Sequence, residues 1–143
     1  MQRRYTAAAV LILLSISGCS SGPPALRLAN GALPGGTAQV TVNGSGTRLI
    51  RDVECESIGK GLTKITIGGP NNQIGVLLGT DTPKAIAFND VEGFTGGYWQ
   101  DLQGSVRLHM ISQTYTITGA AVGFNTENPY TRTAYDFALN VAC

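Results

Sequence analysis

Histidine is almost missing from this chain. There is one, His109, in 143 residues. No histidine pair and no Cys-x-x-Cys is present to hold zinc. Charge is scarce too, at 13% of residues, and no basic excess of the kind a nucleic-acid partner demands is found. Long apolar runs are lacking after the first residues. The one run, Ala7–Ile16, is too short to cross a bilayer core of about 30 Å as a permanent helix. These shortages weigh against a hydrolase, a metal enzyme and a membrane-spanning protein. No cofactor is expected.

What is plentiful is glycine, with 19 residues. A turn-rich, low-charge chain of this length suits one all-β domain. The N-terminus has a different character. Arg3 and Arg4 precede Ala7–Ile16, which has the length of a signal h-region. Tyr5-Thr6-Ala7 give little support to twin-arginine export, so the general secretory route is expected. Ile16-Ser17-Gly18-Cys19 then resembles the lipobox of a bacterial lipoprotein signal. A transferase must reach the thiol of Cys19, and a peptidase must seat Ser17 and Gly18 to cut between Gly18 and Cys19. Residues 1–18 are therefore expected to be cleaved, with Cys19 acylated. Loss of Arg3 and Arg4 leaves the mature chain slightly acidic.

Three cysteines are an odd count for an exported chain. If Cys19 takes lipid, Cys55 and Cys143 remain to pair in an oxidising compartment. The alternative is two buried free thiols. Their separation of 88 residues makes such a bridge worth about 4–5 kcal/mol in the chain-entropy model.

Residues 19–37 read as a lipidated end and tether, broken by Ser20-Ser21-Gly22-Pro23-Pro24 and Leu33-Pro34-Gly35-Gly36. Ala25-Leu26-Arg27-Leu28 between them is more apolar than a linker, suited to the membrane or to the domain. From residue 38 the period becomes two. Gln39–Val42 is a strand, Asn43–Gly46 a turn, and Thr47–Ser57 one long strand with Cys55 inward. Further strands follow over Leu62–Ile67, Ile74–Leu78, from Pro83, and over Phe94–Trp99, where glycines imply a bulge or bend. Val106–Met110 and Thr114–Val122 flank a turn at Ser112-Gln113. Phe124–Thr131 reads as a loop. The last strand puts Tyr135, Phe137, Leu139, Val141 and Cys143 on one face. The expected fold is an antiparallel sandwich or flattened barrel of about eight strands over residues 38–143.

Several residues here resemble the mycobacterial 19 kDa lipoprotein antigen family. They are Cys55, Ile65-Thr66-Ile67-Gly68-Gly69, Tyr115 to Gly123 as Tyr-x-Ile-Thr-Gly-x-Ala-x-Gly, Asn128-Pro129, Phe137, Val141 and Cys143. The resemblance implies a non-enzymatic envelope lipoprotein, exposed and immunogenic, whose acylated N-terminus is sensed by host Toll-like receptor 2. Family tethers are rich in Thr and Ser with O-linked sugars. Residues 20–37 hold only Ser20, Ser21 and Thr37, so the sugars do not carry over.

The other candidates have plainer readings. His109 shares an outer face with Arg107 and reads as solvated. Asp52, Glu54 and Glu56 line one strand face, and Asp90, Glu92 and Asp101 lie near the glycine-rich stretch. Neither set has EF-hand spacing. Asn43-Gly44-Ser45 fits a glycosylation sequon but is more simply a turn. Tyr98 and Trp99 are the candidate ligand contacts. Neighbours on a strand point to opposite faces, so one ring belongs to the core and the other is free to stack on a sugar or apolar ligand.

Overall fold

A computed structural model describes residues 31–46 and 48–143. The lipobox, the cleavage site at Gly18 and Cys19, and Ala25–Leu28 lie outside the described residues.

Among the described residues, ten antiparallel strands form one sheet. They are β1 (Thr37–Val42), β2 (Leu49–Ile50), β3 (Val53–Gly59), β4 (Leu62–Ile67), β5 (Gln73–Leu78), β6 (Pro83–Val91), β7 (Phe94–Trp99), β8 (Ser105–Ile111), β9 (Thr114–Asn125) and β10 (Asn128–Ala142). The order is β2-β1-β10-β9-β7-β6-β5-β4-β3, with β8 paired to β9. The all-β expectation holds, and of its two variants the chain takes the barrel. The outermost strands, β2 and β3, are consecutive in the chain, so the sheet curls into a nearly closed barrel. Register reveals the stagger. From Val53, successive partners are Ile67, Ile74, Phe88, Gly96, Gly123 and Thr133. Yet Cys55, just beyond Val53, is bonded to Cys143, far down β10 from Thr133. Such an offset is the shear that strands tilted about a barrel axis require.

Alternation explains the core. Ile65, Ile67, Ile74, Val76, Ile86, Phe88, Ile117, Leu139 and Val141 are buried, as the period of two directs. Phe88 stands 5.5 Å from Phe94 and 5.2 Å from Phe137, ring centre to ring centre. Phe94 is 4.4 Å from Tyr135. These tilted rings pack together in the interior. Gly96 pairs with Gly123 directly under the Phe94 ring. A Cβ on Gly123 would strike the Thr95 carbonyl oxygen, so only glycine lets β7 and β9 meet there.

Four local readings are corrected. Thr47–Ser57 is not one strand: the chain breaks at Arg51-Asp52, and the Asp52 carbonyl accepts from Gly68 N at 2.8 Å. Phe124–Thr131 is not a loop: β9 runs to Asn125, turns, and β10 starts at Asn128. Pro129 is tolerated because the register slips between Asn128 and Arg132, where no ladder bond asks for its N–H. The bulge beside the glycine stretch sits in β6, between Phe88 and Val91, rather than in the glycines. Finally, Cys55 and Cys143 are both exposed rather than buried inward. Cys55 does lie opposite Ile65, but β3 is an edge strand, and among the described residues no strand pairs with its far side.

Residues Leu33–Thr37, assigned above to the tether, bond to the domain. Leu33 N donates to Thr114 Oγ1 at 2.8 Å, Thr37 Oγ1 to Pro34 O at 2.6 Å, and Gly36 N to Ala142 O at 2.8 Å. The first of these accounts for Thr114, a polar side chain buried completely.

Candidate functional site

The disulfide comes first because it fixes the frame. Cys55 and Cys143 are bonded, with Cα atoms 5.9 Å apart. The bridge joins edge strand β3 to the end of β10, across the gap where the sheet fails to close. It is structural, and a disulfide-bonded thiol offers no nucleophile.

Tyr98 and Trp99 end β7 and face opposite ways. Tyr98 is 6% exposed and packs in the core, while Trp99 is 52% exposed on the outer face. Burial raises the Tyr98 phenol above its usual value of 10.0, and the Asp101 carboxylate adds to the rise. Tyr98 is therefore a core residue, and of the two rings Trp99 is the exposed one.

A tight turn holds Trp99. Its N donates to Gln103 O at 3.0 Å, and Leu102 N and Gln103 N both donate to Trp99 O at 3.1 Å. The turn swings the Gln103 side chain back over the sheet. Gln103 Nε2 donates to Gly97 O at 2.9 Å, where the last β7–β9 pair, Gly97 with Val122, ends the ladder. Its Oε1 accepts from Arg132 Nη2 at 3.1 Å. Trp99, Gln103, Arg132 and Phe124 thus surround a hollow of about 340 Å³ floored by Gly96, Gly97 and Gly123. Arg132 is exposed and, among the described residues, makes no ion pair. Trp99 also borders a shallow apolar trough lined by Leu77, Ala85, Ala87 and Ile58.

A second opening, of about 290 Å³, lies at one mouth of the barrel between Arg48 and Glu92. Its apolar walls include Ile67 and Ile74, each only 1% exposed. A ligand there would find little apolar surface left to cover. The exposed Trp99 ring offers more.

The remaining candidates disperse. Asp90 is a bulge residue at a φ of 49°, and its Oδ1 accepts from Thr126 Oγ1 at 2.8 Å. Asp52 serves the β2–β3 break. Asn43 Oδ1 accepts from Asp136 N at 3.0 Å, as a turn residue would. His109 stands exposed opposite Thr116. Among the described residues no three His, Cys, Asp or Glu side chains gather closely enough to hold a metal ion. Sequence reasoning missed Gln103 and Arg132. They lie 29 residues apart, and no local pattern joins them. Only the register of β9 with β10 brings Arg132 opposite Phe124.

Comparison with known proteins follows the same outline. The model of the family described as Mycobacterium 19 kDa lipoprotein antigen matches residues 31–143. A protein named lipoprotein LpqH from Mycobacterium avium is 31% identical, over 99% of this chain and 97% of its own. A putative lipoprotein from Mycobacterium indicus pranii is 29% identical, over 99% of this chain and 98% of its own. Lipoprotein LpqH of Mycobacterium tuberculosis is 28% identical, over 100% of this chain and 99% of its own.

Proposed function

The chain belongs to the Mycobacterium 19 kDa lipoprotein antigen family, and on that premise we propose that it acts without catalysis, as a surface antigen held in the cell envelope by acyl chains on Cys19. The observation that carries this is a family match running the length of the β domain, behind a lipobox at Ile16–Cys19. Cleavage between Gly18 and Cys19 frees the amine of the acylated cysteine. Two chains there give stable anchoring, where one would be marginal. Host Toll-like receptor 2 senses that acylated end, and the stapled barrel is the part displayed to antibodies and to adhesion partners.

Labelled palmitate tests the reading. It is expected in the wild-type protein and lost in Cys19→Ala, which also leaves the membrane fraction and no longer activates a Toll-like receptor 2 reporter cell. Equal labelling of wild type and variant would sink the anchor assignment.

A second reading, a binding module for a small apolar or glycan ligand, is favoured by one observation: Trp99 stands exposed and borders both an apolar trough and a polar-edged hollow.

A further inference from the structure

We propose that the hollow between Trp99 and Arg132 binds an acidic saccharide, with a pyranose ring against the Trp99 indole and a carboxylate or phosphate on the Arg132 guanidinium. The inference deepens the binding-module reading and rests on it.

Each part of the hollow has a chemical consequence. An exposed indole presents a flat, polarisable face that suits the C–H side of a sugar ring. Gly96, Gly97 and Gly123 line the hollow beside that face, and Gly97 shares the outer face of β7 with Trp99. Their smallness is not accidental to the hollow: a Cβ on Gly96 or Gly97 would crowd neighbouring backbone on the adjoining strand. The glycine contact of β7 with β9 therefore lies beside the only tryptophan in the chain.

The polar edge is pre-oriented. Gln103 is held from both ends, by its main-chain bonds to Trp99 and by its amide bond to Gly97 O. Among the described residues its Oε1 accepts from Arg132 alone. This bond fixes one nitrogen of a guanidinium and leaves most of its five N–H donors unused. A planar, fixed cation with no carboxylate partner among the described residues is suited to bidentate recognition of an anion. Trp99 and Arg132 then ask for two features in one molecule, a ring face and an acid. A neutral apolar ligand would satisfy the apolar trough but leave Arg132 without a partner. A lipid surface would cover Trp99 and the adjacent Leu102, 84% exposed, but has no use for the glycine floor.

Trp99 is its own reporter, since all indole fluorescence comes from this site. The mature lipoprotein in detergent micelles is titrated with glucuronate oligosaccharides, hexose phosphates and matched neutral sugars, and emission is followed. A saturable change with an acidic series, at least ten-fold weaker with neutral sugars, is expected. Uronates and phosphates in separate arms tell which acid is taken. Arg132→Gln should weaken binding about ten- to a hundred-fold, the loss of charge-assisted hydrogen bonds. Arg132 is exposed, and an unchanged urea midpoint for the variant checks its fold. Equal affinity for neutral and acidic sugars, or full affinity in Arg132→Gln, overturns the proposal. A response only to apolar ligands or to added phospholipid vesicles also overturns it, while leaving a binding module in the first case. Emission unmoved by every ligand overturns both.

Discussion

Asn43 holds a φ of 47° and is followed by Gly44 at 76°, the left-handed pair that a two-residue hairpin turn needs. Its side chain also accepts from Asp136 N, and its own N donates to Asp136 O at 2.8 Å. Asn43→Ala is expected to cost about 1–2 kcal/mol, from the left-handed backbone and the lost hydrogen bond together. A lower urea midpoint with an unchanged slope would register it. Tyr98 makes a prediction of a different kind. Its phenol is raised by burial first and by Asp101 second. A group whose folded value lies above its unfolded value of 10.0 stabilises fully below that pH and loses its contribution as pH rises through the folded value. Stability should therefore fall as pH rises past 10.0, and fall less in Tyr98→Phe. Identical losses in both proteins would show that Tyr98 does not titrate this way. The single-residue level is also where the sequence was most and least informative. Alternation alone split Tyr98 from Trp99 without saying which was inside. Gln103 and Arg132 carried no sign of their meeting, because it depends on a turn and on a strand register, both non-local.

The elements owe their contacts to glycine as much as to apolar residues. Gly123→Ala is expected to cost about 3 kcal/mol, since its Cβ would meet the Thr95 carbonyl and the Phe94 ring in a packed region. Gly75 makes the control. It lies in β5 on the outer face with nothing within 4 Å of a built Cβ. Gly75→Ala is expected to be neutral or to stabilise by about 0.5–1 kcal/mol through the unfolded chain. A lower thermal midpoint for Gly123→Ala with no fall for Gly75→Ala would check the pair; a fall in both would mean that the outer face is crowded at Gly75. The hairpin turns at Asn43-Gly44 and Ser112-Gln113 were legible because turn residues sit between clean alternations. The β9–β10 hairpin was not. Asn128-Pro129 reads as a breaker, and residues 128–134 are exposed throughout, so no apolar rhythm announced a strand. The break at Arg51-Asp52 was hidden for the opposite reason: the alternation of Val53, Cys55 and Ser57 extends smoothly backward across it.

At the scale of the whole molecule, closure is the property that no window of sequence displays. A sheet that begins at β2 and ends at β3 leaves two edges facing each other, and unpaired edges invite pairing with other chains. β2 is only two residues long, and its pairing covers Ala38 and Gln39 alone. The disulfide stands where that pairing runs out, tying β3 to the end of β10. Replacing Cys55 and Cys143 with serine removes a loop of 88 residues from the constraints on the unfolded chain, about 4–5 kcal/mol in the entropic account. Geometry adds where the loss should be felt. β9 and β10 are paired along nearly their full lengths, and β4, β5 and β6 are paired on both sides. Without the bridge, these strands keep every hydrogen bond they had. The seam does not: β3 has one partner, β4, and the short β2 has one, β1. Amide exchange in the double variant should therefore rise first in β1, β2 and β3, while β9 and the adjacent half of β10 keep protection near that of global unfolding. Uniform loss of protection would mean the bridge acts on the unfolded chain alone. Exchange confined to the seam would mean the same covalent bond also acts as the hasp of the barrel, holding closed an edge that hydrogen bonds leave open.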